Sequence, residues 1–269
     1  MRRAEREALA LGLLHGPVEL VPVSSSGHVG ALPWLLGWEV AGRDGERRKE
    51  LEVALHAGTA LALLLVARPG RLRPALLAAA VLPPAVTGLA LERRIEQRLG
   101  TPATLAAGLL AGGVALVLAD RTAATRSHGE AGVRDGAWLG VAQAAALIPG
   151  VSRSGATLAA ARFLGFSRAD ASRLSWEVAL PVLLGASGLK AWRVLEASAP
   201  GTATCPRRPA AGRSARGTVP AIGAAAAFAS TLATAGAIGI ERRAPLWPWA
   251  AWRAGLAAAI LAVRQNRAR

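Results

Sequence analysis

Ten residues constrain this chain more than any others: Glu19-Leu-Val-Pro-Val-Ser-Ser-Ser-Gly-His28. They set a carboxylate, three hydroxyls, a glycine and an imidazole between two apolar runs, Leu9–Leu14 and Val29–Trp38. Pro22 stops any helix running into the cluster, because it has no N–H and its ring clashes with the preceding turn. Gly27 lets the backbone turn back. A soluble core helix with a Ser-rich turn would account for these ten residues but not for the rest. Of 269 residues, 52% are apolar and the mean hydropathy is +0.34, more apolar than an ordinary soluble domain. In a bilayer, polar groups are expensive to bury, so a cluster of them points to function. A broken apolar helix with polar residues at the break is how bilayer proteins build sites.

Read in order, the segments predict an all-α polytopic membrane protein, a single membrane domain over residues 1–269. After a charged start, Met1–Glu7, the apolar stretches Ala8–Val23 and Val29–Trp38 are each too short for a crossing of about 20 residues. Together they form a re-entrant helical hairpin. A charged loop, Glu39–Glu50, leads to a span over Leu51–Val66. A basic connection, Arg68–Arg73, leads to a second span, Pro74–Leu91, kinked by Pro83-Pro84. A charged loop, Glu92–Gly100, leads to a third, Thr101–Ala119. Glu92 and Glu96 read as caps on that loop, and His128, in the polar stretch Asp120–Arg134, as a solvated loop histidine.

The pattern then restarts. Asp135–Ile148, a polar break at Pro149–Gly155, and Ala156–Phe166 form a second re-entrant hairpin. A loop at Arg168–Arg173 and spans at Leu174–Trp192, Val219–Ile240 and Leu246–Val263 follow, with a flexible loop over about 199–218. Ser24-Ser-Ser-Gly27 lies over Ser152-Arg-Ser-Gly155, and Leu36-Gly37 over Leu164-Gly165. Glu52-Val-Ala-Leu55 recurs as Glu177-Val-Ala-Leu180. Each half, about 6–120 and about 134–264, is one hairpin plus three crossings. Three is odd, so the second half enters from the opposite face. That is an inverted-topology repeat with the two turns meeting near the midplane.

Joined, the two turns hold Glu19, Ser24, Ser25, Ser26, Gly27, His28, Ser152, Arg153, Ser154 and Gly155. A guanidinium at mid-membrane demands a partner, and its fork suits phosphate oxygens. Backbone N–H groups at Gly27 and Gly155, each opening a short helix, add donors aimed at an anion. The inventory therefore predicts a phosphate or diphosphate site. His28 serves as nucleophile or general acid, or as the base for Ser25. Glu19 holds a divalent cation or orients His28.

The net charge of +15 is nearly all arginine, placed between apolar segments where it sets topology. No nucleic-acid motif accompanies it, so nucleic acid is excluded as a partner. Cys205 is the single cysteine, which excludes an intrachain disulfide and a thiolate cluster. The apolar start, interrupted by His15 and Glu19, reads as retained rather than as a cleaved signal.

These residues resemble the bacterial undecaprenyl-diphosphatase family of the bacitracin-resistance type, from Gly12 to Ala262. The carriers are Glu19–His28 and Pro149-Gly-Val-Ser-Arg-Ser-Gly-Ala-Thr157. Lesser similarity lies in Gly58-Thr59, Ala179–Ala186, Leu246-Trp-Pro-Trp249 and Trp252-Arg253. The resemblance implies hydrolysis of undecaprenyl diphosphate to undecaprenyl phosphate plus phosphate, which recycles the carrier lipid for cell-wall synthesis and confers bacitracin resistance. It implies dependence on a divalent cation, Mg2+ or Ca2+, and a site opening to the outer face of the bacterial plasma membrane. By motif position, Glu19, Ser25, His28, Ser152 and Arg153 match the family's functional residues. His15 stands where the family usually has Glu or Gln, four residues before Glu19 and on the same helix face. It is therefore a candidate metal ligand beside Glu19, drawing the site toward softer ions. His56 stands where Gln is usual, and Glu177 where an apolar residue is usual, within reach of Arg173.

Two functions follow, a lipid diphosphatase and a transporter or flippase for a phosphorylated isoprenoid. His28 discriminates, since a carrier has no need of a nucleophile beside its phosphate site. The partners are the isoprenyl diphosphate, the bilayer and, as the one protein partner, a second copy in a homodimer. The side carrying both termini is the more basic, hence cytoplasmic.

Overall fold

The structure is a computed structural model describing residues 1–42, 45–66, 72–198 and 213–268. Ten α-helices hold most of them: α1 Arg3–Leu20, α2 Ser25–Leu35, α3 Gly45–Val66, α4 Pro74–Leu99, α5 Pro102–Asp120, α6 Val133–Ala145, α7 Arg153–Phe163, α8 Arg168–Ser198, α9 Arg213–Ala233 and α10 Trp247–Ala268. Short 3-10 turns link some of them, and the described residues contain no strand. Two helical stretches, Pro74–Leu91 and Pro102–Asp120, are long and apolar enough to cross a membrane. Gly217–Ala233 and Ala235–Arg242 pass the same test together, as a bent pair. Leucines 61, 64, 65, 82, 89 and 110 point outward. Apolar side chains exposed in such number suit a surface facing lipid. The chain is an all-helical membrane protein.

It forms two compact units that interleave along the sequence. One comprises Met1–Pro17, Leu36–Ala67 and Leu183–Gly236, the other Val18–Leu35, Arg68–Val182 and Ala237–Arg269. In the first, α3 packs on α9. Glycine lets backbones meet α9: a Cβ on Gly12 of α1 would press on Ala226, and one on Gly58 of α3 would strike the Ala224 carbonyl. Small residues at such contacts are how helices associate where lipid competes with apolar side chains.

In the second unit α5 packs against α10 and α7, and α6 against α4 and α7. Its core gathers Leu76, Leu116, Leu139, Leu158, Phe166, Leu174 and Leu246. Helix α4 runs through Pro83-Pro84. Pro84 has no N–H to give the carbonyl of Ala80, and the Gln143 amide of α6 donates to that carbonyl instead, at 3.0 Å. Gly140, one turn earlier on α6, leaves room for the Pro83 ring. Asp120, closing α5, accepts both Arg168 nitrogens, Nε at 2.6 Å and Nη2 at 2.8 Å, and the Leu246 N–H at 3.0 Å. It thereby fixes where α8 and α10 begin.

Several boundaries differ from the sequence reading. Residues 168–173 are not a loop but the first turns of α8, because Ser167 caps them by accepting from the Asp170 N–H at 3.1 Å. Helix α4 continues past Leu91 to Leu99, and α3 starts at Gly45, so charged residues extend both helices. The stretch 219–240 is not one straight helix: α9 ends at Ala233 and 3-10 turns follow at Ala235–Ala237 and Ile240–Arg242. His128 is not merely solvated, since its Nε2 lies 2.7 Å from Glu177, which also accepts from Arg173 Nε at 3.1 Å. Most of the expected loop at 199–218, most of the basic connection 68–73, residues 43–44 and the side chains of Glu92 and Glu96 lie outside the described residues.

Candidate functional site

Both signature turns belong to the second unit, and they have the same local geometry. Ser24 and Ser152 are the non-glycine residues with positive φ among the described residues, at 75° and 66°. A side chain rarely takes that left-handed backbone unless its surroundings hold it there. Serine has a compensation. Each hydroxyl accepts from the backbone N–H three residues on, Ser24 from Gly27 and Ser152 from Gly155, both at 3.2 Å. Each carbonyl then accepts the N–H four residues on, from His28 and from Ala156. The helices so capped, α2 and α7, both end at a left-handed glycine, Gly37 and Gly165.

The turns are tied to each other. Arg153 Nη2 donates to Glu19 Oε1 at 2.8 Å, and the Ser154 hydroxyl lies 3.4 Å from the Val21 carbonyl. Glu19 is buried and Arg153 mostly so. A charge pair at such burial depends on its geometry and its further hydrogen bonds. The guanidinium is planar with five donors, so contact through one nitrogen leaves a fork able to engage an anion.

His28 is held by both ring nitrogens. Nδ1 lies 2.7 Å from the Ser24 carbonyl, which can only accept, so Nδ1 carries the proton. Nε2 lies 2.8 Å from the indole nitrogen of Trp252, which can only donate, so Nε2 offers its lone pair. The ring is thus neutral, with Nε2 as its reactive atom. Ser25 opens α2 half-buried and makes no hydrogen bond to His28 among the described residues. Ser26 is exposed, its hydroxyl 3.4 Å from that of Ser24. In the other turn, the Ser152 and Ser154 hydroxyls are 3.3 Å apart. Glu19 engages Arg153, while the orienting contacts to His28 come from Ser24 and Trp252.

Next to Trp252, Arg253 is fully buried. Its Nη2 donates to the carbonyls of Gly150 at 2.8 Å and Val151 at 2.7 Å, bracing the residues that lead into Ser152. Gly112 of α5 and Gly155 of α7 make room for it, because a Cβ on either would strike the guanidinium. Sequence reasoning noted Trp252-Arg253 as similarity without giving the pair a task. Their distance in sequence from both turns concealed it.

His15 belongs to the first unit, where it is fully buried. Its Nδ1 lies 2.8 Å from the Thr59 hydroxyl, which lies 3.2 Å from that of Thr231. The His15 and His56 rings meet edge to face at 4.6 Å. His56 Nδ1 donates to the Glu52 carbonyl at 2.8 Å, which places its lone pair on Nε2. Such a second hydrogen bond is what fixes an imidazole for metal ligation. Neither Thr59 nor Thr231 stands out in the sequence, since a threonine in an apolar run carries no sign of its hydrogen-bond partner.

An arginine, a carboxylate and an oriented imidazole thus meet at two capped breaks of a helical membrane protein. Comparison places it more narrowly. Residues 8–259 match the family model described as bacitracin resistance protein BacA. The chain is 36% identical over 215 residues to the undecaprenyl-diphosphatase of Geobacter metallireducens, covering 72% of this chain and 78% of the relative. It is 38% identical over 206 residues to that of Geobacter sulfurreducens, covering 68% and 74%. For that of Pelobacter propionicus the figures are 36% over 216 residues, covering 72% and 77%. The chain belongs to the BacA family.

Proposed function

We propose that this protein hydrolyses undecaprenyl diphosphate to undecaprenyl phosphate and inorganic phosphate. The observation that carries this reading is the contact between the two turns, which sets Arg153 beside Glu19 on the turn that also bears His28. The names of the relatives supply the substrate. Arg153 and the N–H groups that open α2 and α7 ahead of Gly27 and Gly155, whose own N–H groups are taken by the Ser24 and Ser152 hydroxyls, hold the terminal phosphate. His28 Nε2, or the Ser25 hydroxyl with Nε2 taking its proton, attacks the terminal phosphorus. The bond from that phosphorus to the bridging oxygen breaks, and undecaprenyl phosphate leaves. Water then cleaves the phosphoryl-enzyme bond and releases phosphate.

The divalent cation fits nitrogen donors better than an all-oxygen cage. His15 and Glu19, one helical turn apart on α1, would hold it, with His56 beside His15. A cation held by these residues would supply positive charge to offset that of a diphosphate. Two imidazoles favour a borderline ion such as Zn2+ over Mg2+ or Ca2+.

The matching geometry of the Ser24 and Ser152 turns supports two inverted halves, each a re-entrant hairpin with three crossings. The site opens to the extracytoplasmic face, with both termini in the cytoplasm. There the product re-enters the carrier cycle of cell-wall synthesis, and this turnover confers bacitracin resistance.

The test is hydrolysis in 18O-labelled water. The label appears in inorganic phosphate, and the lipid product is the unlabelled monophosphate. Label in the lipid, or release of diphosphate, would refute attack at the terminal phosphorus.

A further inference from the structure

The hydrogen bond that fixes His28 also covers its reactive atom. Nδ1 is committed to the Ser24 carbonyl, so Nε2 is the one nitrogen that can act, and the Trp252 indole N–H occupies its lone pair at 2.8 Å. The two rings lie near parallel, 18° apart with centroids 6.1 Å apart. His28 is 2% exposed, whereas Trp252 is 59% exposed. Its neighbour Arg253 is fully buried and pinned to the Gly150 and Val151 carbonyls, so α10 is anchored beneath an indole whose bulk lies at the surface. The exposed indole is thus the mobile partner of the pair, and His28 the fixed one.

We propose that Trp252 is a positioning residue for His28 and a displaceable latch on it. In the free protein the indole N–H holds Nε2 on a fixed line and keeps water from it. When a lipid diphosphate enters, its phosphoryl group displaces the indole from Nε2. The freed N–H, which can only donate, then faces phosphoryl oxygens, which only accept. This rests on the diphosphatase reading above, since it is the reaction that requires Nε2 to be uncovered.

The test uses full-length protein with 15N-labelled tryptophan in detergent micelles, the Trp252 indole resonance being assigned by its loss in Trp252→Phe. His28→Ala shifts that resonance upfield, reporting loss of the hydrogen bond. In the wild type, a non-hydrolysable isoprenyl methylenediphosphonate moves it too. Trp252→Phe keeps an aromatic ring and removes the donor together with part of the ring's bulk. Its kcat falls about two- to tenfold, the worth of one hydrogen bond to a neutral group, with KM within about twofold and an unchanged melting temperature. The latch is overturned if the resonance is the same in wild type and His28→Ala, if saturating diphosphonate leaves it in place, or if Trp252→Phe turns over at the wild-type kcat. Wild type that fails to hydrolyse the lipid diphosphate would instead remove the enzymatic reading, and the latch's hand-over with it.

Discussion

Arg153 and Glu19 are 134 residues apart in the chain, and their side chains meet at 2.8 Å. The pair joins the two signature turns, and both groups are largely withdrawn from solvent. Removing one partner strands the other's charge, which costs about 3–5 kcal/mol when the pair is buried. Arg153→Gln and Glu19→Gln should each lower the melting temperature. The double variant should lose less than the sum of the two, as a double-mutant cycle by thermal unfolding would show. Strict additivity would mean that the two do not interact.

Ser24 and Ser152 both pair a left-handed backbone with a capping hydroxyl. Alanine removes the cap and keeps the strain, whereas glycine removes the cap and relieves the strain. Loss of a serine cap to alanine costs about 1 kcal/mol, and to glycine only a few tenths. Ser152→Ala should therefore be less stable than Ser152→Gly, with the same order at position 24. The reverse order in chemical denaturation would show that the backbone is unstrained there.

Gln143 repairs what Pro84 removes. Gln143→Leu leaves the Ala80 carbonyl buried without its donor, at about 1–3 kcal/mol. Pro84→Ala restores a backbone N–H for that carbonyl. The loss from Gln143→Leu, read from thermal unfolding, should shrink in the Pro84→Ala background.

At the N-terminus, acid acts through Glu7. Burial raises its carboxyl, but the N–H groups of Glu39 and Val40, each at 3.0 Å, and Arg3 outweigh burial and hold it below its ordinary value of 4.5. A lowered folded value stabilises the fold while the group is charged. That contribution is complete above 4.5 and is lost as pH falls through the lower folded value. The stability gap between wild type and Glu7→Gln should hold above 4.5 and close as pH falls from there through the lower folded value. A constant gap would show that the carboxylate contributes nothing by its charge.

His15 gives the metal prediction. His15→Gln should weaken Zn2+ binding, read by calorimetry, by about tenfold or more relative to Mg2+. Unchanged affinity for every ion would place the cation elsewhere.

Much of this was legible in the sequence. The helix break at Pro22, the match of the two Ser-containing turns and the pairing of Glu177 with Arg173 follow from local rules of proline, capping and helical spacing. The charged ends of α3, α4 and α8 were less legible, because charged side chains extend a helix as readily as they fill a loop. The partners of His28 were hidden for another reason. Trp252 lies 224 residues away in sequence, and a tryptophan in an apolar run gives no sign of which acceptor its N–H will meet. The buried Arg253 was hidden likewise, since the residues that make room for it are glycines on two other helices.

The most direct measurement is phosphate release from a long-chain isoprenyl diphosphate by the purified protein, with and without divalent cation, beside His28→Ala and Arg153→Ala. We expect cation-dependent release by the wild type, reduced by at least about a hundredfold in each variant. Release that survives either substitution in a folded protein, or a folded wild type that binds the lipid diphosphate and releases nothing, would contradict this expectation.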